Sequence, residues 1–303
     1  MMKILISDGI EDIGKKILSE AGFEVVDKKL TPEELLKEIP DYDAIIVRSA
    51  TKVTKEVIDA GKNLKAIARG GVGLDNIDVA YAKSKGIPVL YTPGASSISV
   101  AELAIAHMFA LCRFLHVSTG EMRNMKWPKK EYGKGIELTG KTLGLFGLGN
   151  IGREVAKRAI GLGMKVITYD PIVKESPLSV KFVSQEEVLK QSDFISLHIP
   201  LDKKVGATIT KKEFDMMKNV VILINCARGG VVSEKDLLEA LKSGKVAGAG
   251  IDVFENEPVT EIQKELLSHP NVSATPHIGA STLEAQERVG EEIATKVVNA
   301  LRY

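Results

Sequence analysis

The thirty residues from Lys141 to Asp170 (KTLGLFGLGNIGREVAKRAIGLGMKVITYD) constrain the fold of this chain more than any others. Thr142–Phe146 is a short, apolar, β-prone run, followed by Gly147, Gly149 and Gly152 in the order G-x-G-x-x-G. Ile151, Val155, Ala156 and Ala159 then recur at helix spacing, Gly161 and Gly163 close the helix, and Lys165–Tyr169 is a second strand-like run ending on Asp170. A strand, a glycine turn, a helix, a strand and an acid in this order predict a dinucleotide site. Gly147 permits a tight turn, Gly149 lets a pyrophosphate approach the backbone, and Gly152 lets helix and strand lie close. The free N–H groups of the helix start, at Asn150 and Ile151, face that pyrophosphate with partial positive charge. Asp170 is placed to accept hydrogen bonds from a ribose diol. It would repel an added 2′-phosphate by ~4 kcal/mol per unit charge at contact and an effective dielectric near 20, so NAD is the expected coenzyme.

The 303 residues leave room for two domains sharing a cleft. A net charge of +1 excludes the basic footprint of a nucleic-acid binder. Cys112 and Cys226 are far apart and form no metal spacing, which suits a reducing compartment, and a cytoplasmic enzyme is expected. The opening MMKILISDGIED enters a strand at once and carries acids early, unlike a signal peptide. The longest apolar segment, Val100 to Leu115, is interrupted by Glu102, His107 and Arg113, which argues against a membrane span.

Along the chain, Lys3–Ser7, Glu24–Val26, Asp43–Val47, Leu64–Arg69 and Pro88–Tyr91 read as strands with helices between them. Thr31-Pro32-Glu33-Glu34 carries the residues of a helix start. A long helix is expected from Ser99 to Met122, then a Lys-rich loop around Trp127, then strands at Phe194–Ile199, Val220–Asn225, Val246–Ile251 and Val272–Ala274. The amphipathic helix Leu283–Leu301 has no strand after it and is expected to return to the first domain. The predicted class is α/β with two doubly wound parallel sheets. Residues 1–95 plus 283–303 form a smaller, flavodoxin-like substrate domain, and residues 96–282 a Rossmann NAD-binding domain. The crossings near Pro93–Ser97 and His277–Thr282 are the expected hinge.

Ligands of open α/β sheets lie beyond the carboxyl ends of the strands. After the fourth strand comes Arg69-Gly70-Gly71-Val72-Gly73, a turn able to aim several N–H groups at one carboxylate, or merely a tight turn that needs glycine. After Asn225 comes Cys226-Ala227-Arg228-Gly229-Gly230, whose Arg suits bidentate carboxylate binding. Asp252 to Pro258 follows one strand and Thr275 to Thr282 the next, bringing Glu257 and His277. A lone His is most often structural, but an Arg, a Glu and a His at three strand ends form an acid–base set.

GLGNIG with YDP, NCARGG, DVFENEP and TPHIGAST together resemble the D-2-hydroxyacid dehydrogenase family, and the resemblance covers nearly the whole chain. It implies a substrate domain packed on an NAD domain, with Arg228, Glu257 and His277 as the catalytic set. IVRSATKVT, ARGGVGLDNID and TPGASSISVAELA are similar to the D-3-phosphoglycerate dehydrogenase branch, whose first step of phosphorylated serine biosynthesis is then the implied reaction. In that branch an Arg in the position of Arg48, beside Ser49, helps hold the substrate phosphate, and the Gly71, Val72 and Gly73 amides take its carboxylate. Beyond the glycine fingerprint, the implied coenzyme contacts are Val72, His198, Ile199, Pro200, Cys226, Ala227, Arg228, Asp252, His277, Gly279 and Ala280. No metal is implied. A homodimer through the NAD domains is implied, with the long helix and the Trp127 loop at its interface and Lys129 where relatives carry a basic residue that reaches across. Because the sequence stops at Tyr303, serine feedback through a further domain is expected to be absent. The alternatives are a glyoxylate, hydroxypyruvate or D-lactate-type reductase on the same machinery, or a non-enzymatic NAD(H)-sensing protein. A formate dehydrogenase needs Gln where Glu257 stands.

Overall fold

The computed structural model describes residues 1–202 and 204–302; Lys203 and Tyr303, the last residue of the expected substrate domain, lie outside the described residues. The chain divides into two compact units, Met1–Ser97 with Ala280–Tyr303, and Ile98–Gly279.

The first unit carries five parallel strands: β1 (Lys3–Ile6), β2 (Glu24–Asp27), β3 (Ala44–Val47), β4 (Ala66–Arg69) and β5 (Val89–Tyr91). Their order is β2-β1-β3-β4-β5, the flavodoxin-like arrangement. Helices α1 (Asp12–Glu20), α2 (Pro32–Glu38), α3 (Lys55–Ala60) and α4 (Val79–Ser84) connect them. Side chains alternate across a strand, so the sheet supplies two cores. Leu5, Ile45, Val47 and Ile67 pack with Leu35, Val57 and Ile58 on one face. Ile4, Ile6, Ile46 and Ala68 pack on the other with Leu18 and with Ile293, Val297 and Leu301 of the terminal helix. That helix, Leu283–Arg302, crosses α1 at glycines: a Cβ on Gly14 would stand 2.6 Å from the Gly290 carbonyl oxygen. Helix α2 starts in a capping box, with Thr31 Oγ1 accepting from Glu34 N at 3.2 Å and Glu34 Oε2 accepting from Thr31 N at 2.9 Å.

The second unit carries seven parallel strands: β6 (Thr142–Phe146), β7 (Lys165–Tyr169), β8 (Val180–Phe182), β9 (Phe194–Leu197), β10 (Val221–Asn225), β11 (Val246–Ile251) and β12 (Val272–Ala274). Their order is β12-β11-β10-β9-β6-β7-β8. This is the Rossmann order with one further strand, and the chain reverses direction across the sheet between β6 and β9. Its helices are α5 (Ser97–Cys112), α6 (Leu115–Arg123), α7 (Asn150–Gly161), α8 (Gln185–Gln191), α9 (Lys211–Met216), α10 (Glu234–Lys242) and α11 (Lys264–Leu267). Both faces of the sheet are covered, by Phe146, Leu197, Leu223 and Ile251 on one side and by Leu143, Leu145, Ile222 and Ile224 with α5 and α7 on the other.

The single long helix expected from Ser99 to Met122 is two helices. Phe114 sits at φ +59° between α5 and α6, and the axes differ by 63°. The Cys112 carbonyl, which would have continued the ladder, accepts instead from Ile136 N at 3.0 Å, and the Phe114 ring meets Tyr132 at 5.3 Å. The chain returning after the Trp127 loop thus takes over a bond that an unbroken helix would make. Among the described residues no single helix is long and apolar enough to cross a membrane.

Candidate active site and coenzyme cradle

In the second unit, the turn after β6 has a separate reason for each glycine. Gly147 lies at φ +92°, and a Cβ there would stand 2.6 Å from the His198 carbonyl oxygen. At Gly152 a Cβ would come within 2.2 Å of the Gly147 carbonyl oxygen, so α7 rests directly on the turn. Gly149 differs, because a Cβ there would meet nothing within 4 Å. It borders open space at the N-terminus of α7, where first-turn N–H groups and the helix dipole favour an anion.

Asp170, at the end of β7, accepts from Leu148 N at 2.7 Å on Oδ2, and from Ile172 N at 2.8 Å and Val173 N at 2.9 Å on Oδ1. Burial pushes this carboxyl up, but the three N–H groups outweigh it and hold it below the usual range. A carboxylate offers about four acceptor sites, so capacity for a ribose hydroxyl remains. His198 follows β9, with Nε2 2.9 Å from Ser196 Oγ, and burial pushes its imidazole down to about 4, which keeps the ring neutral. Ile199 and Pro200 continue this loop toward the surface. A glycine turn open at one point, an acid fixed by its own backbone and a loop at the switch point together fit a dinucleotide.

Three loops from neighbouring strands build the second half of the site. After β10, Asn225 winds its own turn: Oδ1 accepts from Ala227 N at 3.1 Å, and Nδ2 donates to the Arg228 carbonyl at 3.1 Å. Cys226 and Ala227 are buried, and burial pushes the Cys226 thiol far above its ordinary range, which disfavours the nucleophilic thiolate. Half-buried Arg228 donates through Nη1 to Ala227 O at 2.7 Å. After β11, the chain turns so that Phe254 N donates to Glu257 Oε1 at 3.0 Å; the Glu257–Pro258 bond is cis. After β12, His277 sits at φ +54° and places Nδ1 2.6 Å from Glu257 Oε2.

Asp252 anchors these loops. It is 1% exposed, and its Oδ1 accepts from Thr275 Oγ1 at 2.6 Å and Ile278 N at 2.8 Å, while Oδ2 accepts from Gly279 N at 2.8 Å. A side chain at position 279 would crowd that carboxylate, since a Cβ there would lie 2.9 Å from Oδ2. The Glu257 carboxylate raises the His277 imidazole above its ordinary value against the effect of burial, helped by Asp252 and opposed by Arg228. Burial pushes Glu257 up, but the hydrogen bonds from His277 and Phe254 N and the charges of His277 and Arg228 hold it low. Arg228, Glu257 and His277, far apart in sequence, therefore share one electrostatic site with Asp252, Cys226, Ala227 and Gly279. Among the described residues, Nε2 of the imidazole has no hydrogen-bond partner.

Arg48, Ser49, Gly71, Val72, Gly73 and Ala280 belong to the first unit. Arg48 follows β3 and is half-buried; burial lowers its pKa, opposed by the charges of Glu11 and Asp8. Asp8 spends its carboxylate on the loop itself, accepting from Arg48 N at 2.7 Å, Thr51 N at 3.0 Å and Thr51 Oγ1 at 2.7 Å. Asn76 Nδ2 donates to the carbonyls of Arg48 at 2.9 Å and Thr51 at 2.7 Å. Among the described residues the Arg48 guanidinium has neither an ion pair nor a hydrogen bond, and the amides of Gly71, Val72 and Gly73 donate to no protein acceptor. Arg69 folds into this turn, donating through Nη1 to the Gly73 carbonyl. Sequence reading missed Asp8, Thr51 and Asn76. Asp8 stands just after β1, a strand-end position that could have drawn notice.

Hydride exchange with a nicotinamide coenzyme, assisted by an imidazole able to carry a proton, is the chemistry such a site serves, and NAD-dependent dehydrogenases of 2-hydroxy acids are its class. Residues 105–279 match the D-isomer specific 2-hydroxyacid dehydrogenase, NAD binding domain, and the chain belongs to this family. It is 52% identical to hydroxypyruvate reductase of Thermotoga maritima, over 99% of this chain and 98% of that one. It is 47% identical to D-3-phosphoglycerate dehydrogenase of Methanocaldococcus jannaschii over 100% of this chain, but spans only 58% of that relative's length. Among solved structures, a glyoxylate reductase from Paecilomyes thermophila superposes with a TM-score of 0.91 at 34% identity, covering 99% of this chain and 95% of that one.

Proposed function

We propose that this dehydrogenase interconverts D-3-phosphoglycerate and 3-phosphohydroxypyruvate, the entry to phosphorylated serine biosynthesis. The observation that carries the reading is Arg48: a half-buried guanidinium at a strand end, with neither an ion pair nor a hydrogen bond among the described residues, on a loop pinned by Asp8 and Asn76. A phosphate supplies the charged hydrogen-bond acceptor that this guanidinium lacks. On the first unit, the amides of Gly71, Val72 and Gly73 supply donors for a substrate carboxylate; on the second, Arg228 supplies a guanidinium for the C2 oxygen.

In oxidation, neutral His277 takes the C2 hydroxyl proton at Nε2 while the C2 hydrogen leaves with its electron pair. Bound NAD supplies the hydride acceptor. Glu257 fixes the ring through Nδ1 and stabilises the imidazolium that forms. In reduction, His277 returns the proton, and Arg228 polarises the C2 carbonyl. The assembly that goes with this reading is a homodimer of the second units, with exposed Trp127 and Met125 of the loop after α6 at its interface; light scattering of the purified protein reads its mass.

A second reading, reduction of hydroxypyruvate itself, is favoured by the Thermotoga relative. The two substrates differ by one phosphate on the C3 oxygen. Steady-state kinetics of wild type and Arg48→Ala on phosphohydroxypyruvate, hydroxypyruvate and glyoxylate separate them. The phosphoglycerate reading expects kcat/KM to fall roughly 10- to 100-fold more for the phosphorylated acid, the scale of one lost charge-assisted hydrogen bond. Equal losses on all three would count against the phosphoglycerate reading and favour the second.

A further inference from the structure

Among the buried titratable residues that the mechanism above leaves unused is His107. His107 lies on α5 in a helix face otherwise made of Ala101, Ala104, Met108 and Leu111, and it is 2% exposed. Its place over the sheet depends on a glycine: a Cβ on Gly250 of β11 would stand 2.6 Å from His107 Cβ. Both ring nitrogens are engaged, Nδ1 with Ser273 Oγ at 2.8 Å and Nε2 with Thr275 Oγ1 at 3.2 Å.

The proton positions along this chain follow from its far end. Asp252 already accepts two backbone N–H groups, and as a carboxylate it can only accept from Thr275 Oγ1 at 2.6 Å. With its one proton committed, the Thr275 hydroxyl accepts from His107, so the proton of the neutral ring is on Nε2. Nδ1 is then the acceptor, and the Ser273 hydroxyl donates to it. Every donor and acceptor from Ser273 to Asp252 has one direction. The chain ends on the N–H groups of Ile278 and Gly279, the residues that flank the left-handed His277 on its C-terminal side, while Thr275 precedes it by two.

We propose that His107 is a positioning residue for the hydride-transfer step: through Thr275 and Asp252 it holds the 275–279 turn in the one conformation that sets His277 against Glu257. This rests on the acid–base role assigned to His277. Burial, helped by the charge of His116 and opposed by that of Asp252, lowers the His107 pKa and so favours the neutral form the chain requires, while the Asp252 carboxylate is spent on Thr275 and the two amides. A left-handed non-glycine residue is held only where its surroundings over-determine it, and this network supplies that constraint.

The test compares His107→Leu, Thr275→Val and Thr275→Ser, alone and as the His107→Leu/Thr275→Val pair. NAD affinity is measured by nicotinamide-site fluorescence, with kcat, KM and the pH profile of kcat/KM alongside. His107→Leu and Thr275→Val should each lower kcat by roughly 10- to 100-fold, the scale of misplacing a reacting group by up to an ångström, and move the acidic limb assigned to His277. Thr275→Ser keeps the hydroxyl and should restore both. The double variant should be no worse than the poorer single one, because each substitution breaks the same chain. An unchanged pH limb with additive losses would overturn the proposal, and so would a Thr275→Val enzyme of normal kcat should the His107 variant not fold. Failure of the underlying reading looks different: His277→Gln would then leave kcat within a few-fold of wild type.

Discussion

Glu257 divides its carboxylate between two tasks: Oε2 lies 2.6 Å from His277 Nδ1, and Oε1 accepts the Phe254 N–H at 3.0 Å. The second bond holds the first in place, because the loop after β11 cannot move without carrying the carboxylate with it. The imidazole is thereby raised in basicity and fixed in orientation by a single side chain.

Replacing that carboxylate separates the two effects. In Glu257→Gln the His277 pKa falls back toward its ordinary value of about 6.5. Oxidation needs the neutral ring, so its rate climbs with pH through this pKa, and the climb should shift to lower pH. Reduction needs the protonated ring, so its decline at rising pH should shift the same way. Rate–pH profiles in both directions check this; a limb that stays put assigns it to another group.

The same pair ties stability to pH. Glu257 is held low when folded, so its contribution is present above the ordinary carboxyl pKa and is lost as pH falls. His277 is held high, so its contribution is complete below the ordinary imidazole pKa and is lost as pH rises through the raised value. The Tm gap between wild type and His277→Ala should therefore be widest between about pH 4.5 and 6.5. Both side chains are partly exposed, so only the position of the maximum is predicted.

Gly149→Ala and Gly152→Ala should fail in different ways. At 149 the methyl group enters open space, so Tm should hold while NAD binding weakens. At 152 it meets the Gly147 carbonyl oxygen at 2.2 Å, an overpacking that costs about 1–3 kcal/mol. Calorimetry beside NAD titration reads the contrast, and a Gly149→Ala protein that binds NAD normally would remove the pyrophosphate from that spot.

Asp8→Ala tests the phosphate arm without touching its guanidinium. Three hydrogen bonds to the Arg48–Thr51 loop are lost, and stability should drop by about 1–3 kcal/mol. KM for the phosphorylated acid should rise while KM for glyoxylate stays near its original value. An equal rise for both would mean that the loop serves folding alone.

Asp170→Ala should relax coenzyme choice, because the charge that repels a 2′-phosphate is gone. The ratio of kcat/KM for NAD over NADP should fall, together with some stability, since the amides of Leu148, Ile172 and Val173 lose their acceptor. An unchanged ratio would place the discrimination elsewhere.

Much of the fold was legible because its signals are local. Strands β6 and β7 run over the residues anticipated for them, since a parallel strand buried along its middle reads as a mostly apolar run. β8 escaped because it is a three-residue edge strand with its middle side chain in solvent, too short for any period. The bend at Phe114 escaped because its cause, the bond from Ile136 to Cys112, comes from residues over twenty positions away. The motifs that named Arg228, Glu257 and His277 were visible, but the bonds of Asp8, Asn76 and His107 were not. A lone His among apolar neighbours carries no pattern until Ser273 and Thr275 arrive across 166 and 168 residues.

The crossing of α1 with the terminal helix has a consequence for biosynthesis. On the ribosome, the segment 280–302 emerges after the whole of Ile98–Gly279. Until then Ile4, Ile6 and Ile46 lack the partners Ile293, Val297 and Leu301. The nascent polypeptide therefore presents a greasy, half-finished sheet for most of its translation, and the later-coded Rossmann half is complete before the earlier-coded half.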